Sequence, residues 1–264
     1  MKYTVLSLFP GIIDGFFSAS IMARALSRGI IEYSSVNIRD YALDKHRTCD
    51  DAPYGGGAGM LMLCEPLDRA LRAVGASRRS ESDAGEGPQA DRKPRVVYPS
   101  PSGRPFTQDL ARELAQEGEL ILLCGRYEGI DQRIVDLYVD DEISVGDYVL
   151  SSGEIAALVI IDATYRLIDR VIRAESLEEE SFSGCLLEYP QYTRPEIYAN
   201  LRVPEILLSG HHENIRHWRR RKQVERTFSQ RPDLLRRGEA MGLYDMETRH
   251  FIDELRGIGE YERD

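Results

Sequence analysis

Apolar runs broken by turn residues alternate, over the first two-thirds of the chain, with segments whose apolar positions recur every three or four residues. Residues 3–9 (YTVLSLF) form a short apolar run stopped by Pro10 and Gly11, the pattern of a buried strand. Over 11–28, Ile12 pairs with Phe16, Ile13 with Phe17 and Met22 with Leu26 at four-residue spacing, which predicts a single helix. A second strand is expected over 30–38, and a helix over about 65–74 on Leu67, Ala70, Leu71 and Val74. Next come a strand over 95–98 and a helix over 107–116, with Thr107 as N-cap and Gly118 just past the end. ELILLC (119–124) is the clearest strand pattern, and 154–168 reads as a largely apolar helix.

This alternation predicts an α/β fold with a mostly parallel sheet covered on both faces. Ligands of such sheets bind in loops at the carboxyl ends of strands. That brings 98–103 (YPSPSG), 124–129 (CGRYEG) and 144–154 (SVGDYVLSSGE) toward one site. All three are rich in Gly, Pro and Ser, which lets backbone approach a ligand closely. Two other stretches show neither period. Residues 75–94 hold no large apolar side chain, so nothing offsets their ordering entropy and a mobile loop is expected. Residues 173–187 are acidic and read as a linker between a first domain, 1–172, and a smaller helical domain, 188–264. Ile215, Trp218, Phe228, Leu234 and Leu235 are the expected core of the second.

An apolar fraction of 42% with 30% charged residues excludes a disordered chain. The apolar runs fall far short of the ~20 residues of a membrane span, and Pro10, Gly11 and Asp14 interrupt the apolar start, so it reads as a strand and not a leader. Cysteines at 49, 64, 124 and 185 lack any C-x2-C spacing and suit a reducing, cytoplasmic compartment. The net charge of −10 looks unsuited to a nucleic-acid partner. It is unevenly spread, however: residues 201–240 carry ten Lys/Arg against five acids, and phosphate contacts need only a local basic patch.

PYGGGAGMLM (53–62) is the densest glycine cluster, and no Lys-Ser/Thr follows it, which excludes a P-loop. Taken alone it fits a flexible turn as well as a ligand loop. Arg126 and Glu128 could contact a ligand, although surface ion pairing at a strand end is the plainer account. Trp218 could stack on a base; anchoring the C-terminal core is again the plainer expectation. The five histidines (46, 211, 212, 217 and 250) show no metal-ligand spacing.

PYGGGAGMLM, LLCGRYEGIDQR, ISVGDYVLSSGE and YPQYTRPE, in this order and at these spacings, closely resemble the tRNA (guanine-N1)-methyltransferases of the bacterial TrmD type. LFPG near the start, DKHRTCDDAPYGGG, VPEILLSGHHENIRHWRR and SQRPDLL extend the resemblance over nearly the whole chain, leaving out 75–94 and roughly the last two dozen residues. The resemblance implies a SPOUT fold: an α/β domain with a parallel sheet and a deep trefoil knot, an exception to the general absence of knots, plus a smaller helical C-terminal domain that grips tRNA. It also implies a homodimer whose active sites draw on both subunits, S-adenosyl-L-methionine as methyl donor, and guanine N1 at tRNA position 37, next to the anticodon, as acceptor. A divalent cation could assist, but no residue pattern requires one.

By matching positions, the resemblance assigns the donor pocket to Tyr98, Pro99, Pro101, Gly125, Val145, Gly146, Asp147, Tyr148, Val149 and Leu150, with Gly153 nearby. Glu128 matches an active-site glutamate and Arg166 the family's arginine. Glu180 stands where the family has its general-base aspartate; it is one methylene longer and follows Glu175, Glu178 and Glu179, a cluster that would raise its members' pKa values. Ser152 stands where the family usually has glycine. Two other readings compete: a tRNA-binding protein without catalysis, favoured only by Glu180, and a different SPOUT activity such as ribose 2′-O methylation.

Overall fold

The computed structural model describes residues 1–79, 93–172 and 180–261, in two units, Met1–Ile172 and Arg173–Asp264. In the first, β1 (Lys2–Ser7), β2 (Glu32–Asn37), β5 (Arg95–Pro105), β6 (Glu119–Leu123) and β7 (Asp141–Ser144) form a parallel sheet of order β2-β1-β6-β5-β7. The period of two along the strands sends side chains to opposite faces. Tyr3, Val5, Val97, Leu120 and Leu122 meet α1 (Pro10–Phe17), α2 (Ser20–Ser27), α4 (Gln108–Leu114) and α6 (Gly153–Tyr165). Leu6, Val96, Ile121 and Leu123 meet α3 (Cys64–Ala73) and α5 (Gln132–Tyr138). The mostly parallel α/β fold expected from the sequence is therefore present. Between β2 and α3, the short pair β3 (Asp50–Asp51) and β4 (Leu61–Met62) carries the glycine cluster.

The structure departs from expectation in several places. The single helix over 11–28 is two helices, because Ala19 is extended and Ser20 takes a left-handed φ of 55°. Both α5 and β7 escaped the sequence pattern. Helix α5 has seven residues, too few for its period to stand out, and is started by Asp131, whose carboxylate accepts from the Arg133 N–H at 2.9 Å. Strand β7 is half acidic; Asp141 is neutralised by Arg95 at 2.6 Å and Arg104 at 2.5 Å, both on β5. The loop expected over 75–94 begins with packed residues: Ala76 is buried, and Arg78 bonds Asp68 at 2.6 Å and Tyr138 at 3.2 Å. Residues 80–92 lie outside the described ones.

The second unit holds a short hairpin, β8 (Ile197–Tyr198) and β9 (Leu201–Arg202), then α7 (Glu205–Leu208), α8 (His212–Gln230), α9 (Pro232–Ala240) and α10 (Met246–Tyr261). Its core is Leu186, Val224, Leu235, Tyr244 and Ile252, edged by Phe228, Phe251 and Leu255. Trp218 and Ile215 are not in it, which corrects the expectation. They lie in the first turns of α8, ahead of Val224, and Trp218 is half-buried 6.4 Å from the Tyr192 ring. Residues 180–187 are more than linker: Leu186 enters the core and the Leu187 N–H donates to Thr227 Oγ at 2.8 Å. Among the described residues, no helix is long and apolar enough to cross a membrane.

Candidate active site

Strands β6, β5 and β7 are neighbours and parallel, so the loops leaving their carboxyl ends rise side by side. They enclose a cleft of ≈ 290 Å³. Strand β5 supplies Tyr98, Pro99, Ser100 and Pro101. Its register against β7 breaks there: Pro99 and Arg104 both oppose Ile143, so 100–103 bulge outward and the chain returns to the same strand. The β6 loop supplies Gly125 through Gly129 as a turn closed by the Gly129 N–H to the Arg126 carbonyl at 3.0 Å. That turn holds Tyr127 at φ 57°, a left-handed conformation uncommon for an aromatic residue and one that clusters at functional sites. The β7 loop supplies Val145, Gly146, Tyr148, Val149, Leu150 and Gly153.

The loops touch through glycines. The Gly153 N–H donates to the Gly125 carbonyl at 2.9 Å, and a Cβ on Gly153 would stand 2.7 Å from the Gly125 nitrogen. Beside it, a Cβ on Gly125 would stand 2.9 Å from the Tyr98 ring. Ser152, where the resemblance expects glycine, has φ −165°, an extended backbone that any residue adopts, so this departure brings no strain. The glycine cluster of 53–62 turns out to back the site. Met60 accepts from the Glu128 N–H at 3.0 Å, the Met62 N–H donates to Gly129 at 3.0 Å, and Gly59, at φ 93°, leaves no room for a Cβ against the Glu128 side chain.

Every position assigned to the donor pocket lines this cleft except Asp147, which is exposed at the tip of a turn closed by the Tyr148 N–H on the Gly146 carbonyl at 2.9 Å. Glu128 lines it too. Arg166 does not: it stands at the C-terminal end of α6, where it partly offsets the upward push that burial gives the Asp162 carboxyl. Glu180 belongs to the second unit, half-buried, its carbonyl accepting from the Ser183 N–H at 3.1 Å. Glu175, Glu178 and Glu179 lie outside the described residues. Ala156, one turn into α6, joins the wall unforeseen; its signal was the i+3 spacing from Gly153.

Burial, reinforced by the Glu142 charge, raises the Tyr98 hydroxyl above its usual range. Cys124, wholly buried behind the cleft, is pushed well up, chiefly by burial, so it offers no thiolate for covalent chemistry. The walls are apolar at Pro99, Leu150 and Ala156 and polar at Ser100, Ser144 and Ser152, a balance suited to binding a nucleoside-sized ligand. Among the described residues, no group of three or more His, Cys, Asp and Glu side chains gathers to hold a metal ion.

A profile of the tRNA (guanine-1)-methyltransferase TrmD family matches residues 1–237. The chain belongs to the TrmD family. A tRNA (guanine-N(1)-)-methyltransferase of Treponema denticola is 58% identical to it over 255 residues, covering 97% of this chain and 99% of the relative. The enzyme of the same name from Treponema pallidum is 56% identical over 255 residues, with 97% and 96% covered. That of Borrelia duttonii is 55% identical over 236 residues, with 89% and 92% covered. As a TrmD-family protein the chain is an enzyme, a methyltransferase. All three cleft loops and Glu180 fall inside the TrmD match, whereas α10 falls outside it.

Proposed function

We propose that this enzyme transfers a methyl group from S-adenosyl-L-methionine to N1 of guanine 37 in tRNA. The observation that carries the donor site is the convergence of Tyr98 on β5 with Gly125 and Gly153, on the segments that follow the neighbouring strands β6 and β7, on one nucleoside-sized cleft. S-adenosyl-L-methionine would supply an electrophilic methyl group on a sulfonium. Guanine N1 carries a proton and is a weak nucleophile until that proton leaves. The Glu180 carboxylate takes it, the N1 lone pair forms the new N–C bond as the methyl C–S bond breaks and its electron pair returns to sulfur, releasing S-adenosyl-L-homocysteine, and Arg166 offsets the negative charge shifted toward O6. The knotted SPOUT topology and the homodimer belong to the same proposal. Family membership supports both, and Ile12 on α1 with Ile155 and Val159 on α6 supplies an exposed apolar face for a second copy. A tRNA substrate places the enzyme in the bacterial cytoplasm.

The helical unit offers the RNA surface. A pocket of ≈ 220 Å³ is lined by Arg216, Arg219 and Arg220, at the i, i+3, i+4 spacing of one face of α8, with the Arg219 guanidinium 4.8 Å over the Tyr189 ring. Arg216 pairs with Glu247 at 3.2 Å, Arg221 with Glu225 at 3.2 Å and Glu254 at 3.3 Å, and Lys222 with Glu225 at 2.5 Å. Arg220→Gln should weaken tRNA binding and flatten its log–log salt dependence by about one unit. Lys222→Gln should leave the slope nearly as it is. Titrations against salt check this; equal slopes in all variants would move the RNA to another surface.

Nucleoside analysis of unmodified tRNA incubated with protein and donor tests the reaction. N1-methylguanosine, with a primer-extension stop at position 37, is the expected product. An alkali-resistant ribose methylation, or no methylation, would overturn the proposal.

A further inference from the structure

Glu154 has no part in the reaction proposed above, yet it is a carboxylate buried beside the cleft. It follows Gly153 in the first turn of α6, with a side chain only 1% exposed. A carboxylate near a helix N-terminus is favoured by the helix dipole, but burial asks that its lone pairs be satisfied as well. Oε1 accepts from Ser7 Oγ at 2.6 Å, and Ser7 Oγ accepts from the Phe9 N–H at 2.7 Å. Oε2 has no hydrogen-bond partner among the described residues. The cation facing it is Arg126, whose Nη1 lies 3.9 Å away, within ion-pair range and beyond a hydrogen bond.

Arg126 is also a cleft residue, and its guanidinium lies 4.7 Å over the Phe9 ring. A closed circuit results. Glu154 binds Ser7, Ser7 sets the Phe9 backbone, the Phe9 ring lies under Arg126, and Arg126 returns to the Glu154 charge. Three segments contribute: the end of β1 with the residues just after it, the β6 loop and the start of α6.

The geometry points to Glu154 as a positioning residue, whose buried charge holds the Arg126 guanidinium in the cleft wall to meet the donor. Arg126 touches the ligand and Glu154 acts through it. The inference rests on the cleft being the donor site. Glutamine at 154 keeps the side chain's size and its bond from Ser7 but removes the charge that Arg126 faces.

Calorimetric titration of the full-length protein with S-adenosyl-L-homocysteine, the demethylated form of the donor, tests it. If the wild type does not bind, the donor-site assignment fails and this inference falls with it. Given wild-type binding, Glu154→Gln and Arg126→Gln should each weaken affinity by about tenfold, and the double variant should be about as weak as Arg126→Gln alone. The ligand-free melting temperature of Glu154→Gln should stay within about 4 °C of wild type, which general damage to the first unit would not allow. Wild-type donor affinity in Glu154→Gln, or losses that multiply to about 100-fold in the double variant, would overturn the inference. Should Glu154→Gln fail to fold, as melting without ligand would reveal, Glu154→Asp serves. It keeps the charge but withdraws it by one methylene and should weaken binding several-fold; unchanged affinity there is equally fatal.

Discussion

Glu180→Gln is expected to lower methyl-transfer turnover by about 100-fold or more while leaving donor affinity nearly intact. Glutamine matches glutamate in size and removes only the capacity to accept the N1 proton, so the loss should appear in kcat and not in ligand binding. The donor cleft is built from the first unit, whereas Glu180 belongs to the second. Its backbone is anchored there by the Ser183 N–H at 3.1 Å. The position also tests the family's register, since glutamate stands where aspartate is expected and Glu179 precedes it. Single-turnover rates of Glu180→Gln and Glu179→Gln decide the matter. Full activity in the first with loss in the second would assign the proton to Glu179.

The second large effect is steric. Gly153→Ala should weaken donor binding by more than about tenfold and lower the melting temperature by several degrees, since overpacking a tight contact costs about 1–3 kcal/mol. The new Cβ would lie 2.7 Å from the Gly125 nitrogen, 3.0 Å from the Cys124 Cα and 3.1 Å from the Gly125 carbonyl oxygen. These are main-chain atoms just past the buried run Leu120–Leu123, so no side-chain rotation relieves the clash. Either the Gly153–Gly125 hydrogen bond lengthens or the β7 loop moves off the cleft. Calorimetry with the donor and a thermal melt of the same sample read both effects. Wild-type affinity in Gly153→Ala would mean that close contact between the two loops is not required for binding.

The sequence carried the parts of this protein that local pattern encodes. Tyr3, Val5 and Leu6, Val96 and Val97, and the run from Leu120 to Leu123 announce strands because burial on both faces demands apolar residues without interruption. The four-residue spacings of α1 and α3 announce helices for the same local reason. The loop strings named the family and nearly all of the cleft, because close backbone approach narrows the choice to Gly, Pro and Ser over several consecutive positions.

Composition and spacing could not say which partner a residue meets across the fold. The glycine cluster of 53–62 fits a free turn equally well until Met60 and Met62 are seen bonded to the Glu128 turn. Trp218 fits a core anchor until α8 turns Val224 inward in its place. Arg219 and Arg220 read no differently from Arg221 and Lys222 until the first two line a pocket and the last two meet Glu225. Glu154 reads as one more helix-start acid until Ser7, 147 positions away, is found at 2.6 Å. Hydrophobic burial acts on each segment through its own period, so it leaves a trace in the order of residues. Contacts between segments far apart in the chain leave none, and the tertiary structure alone decides them.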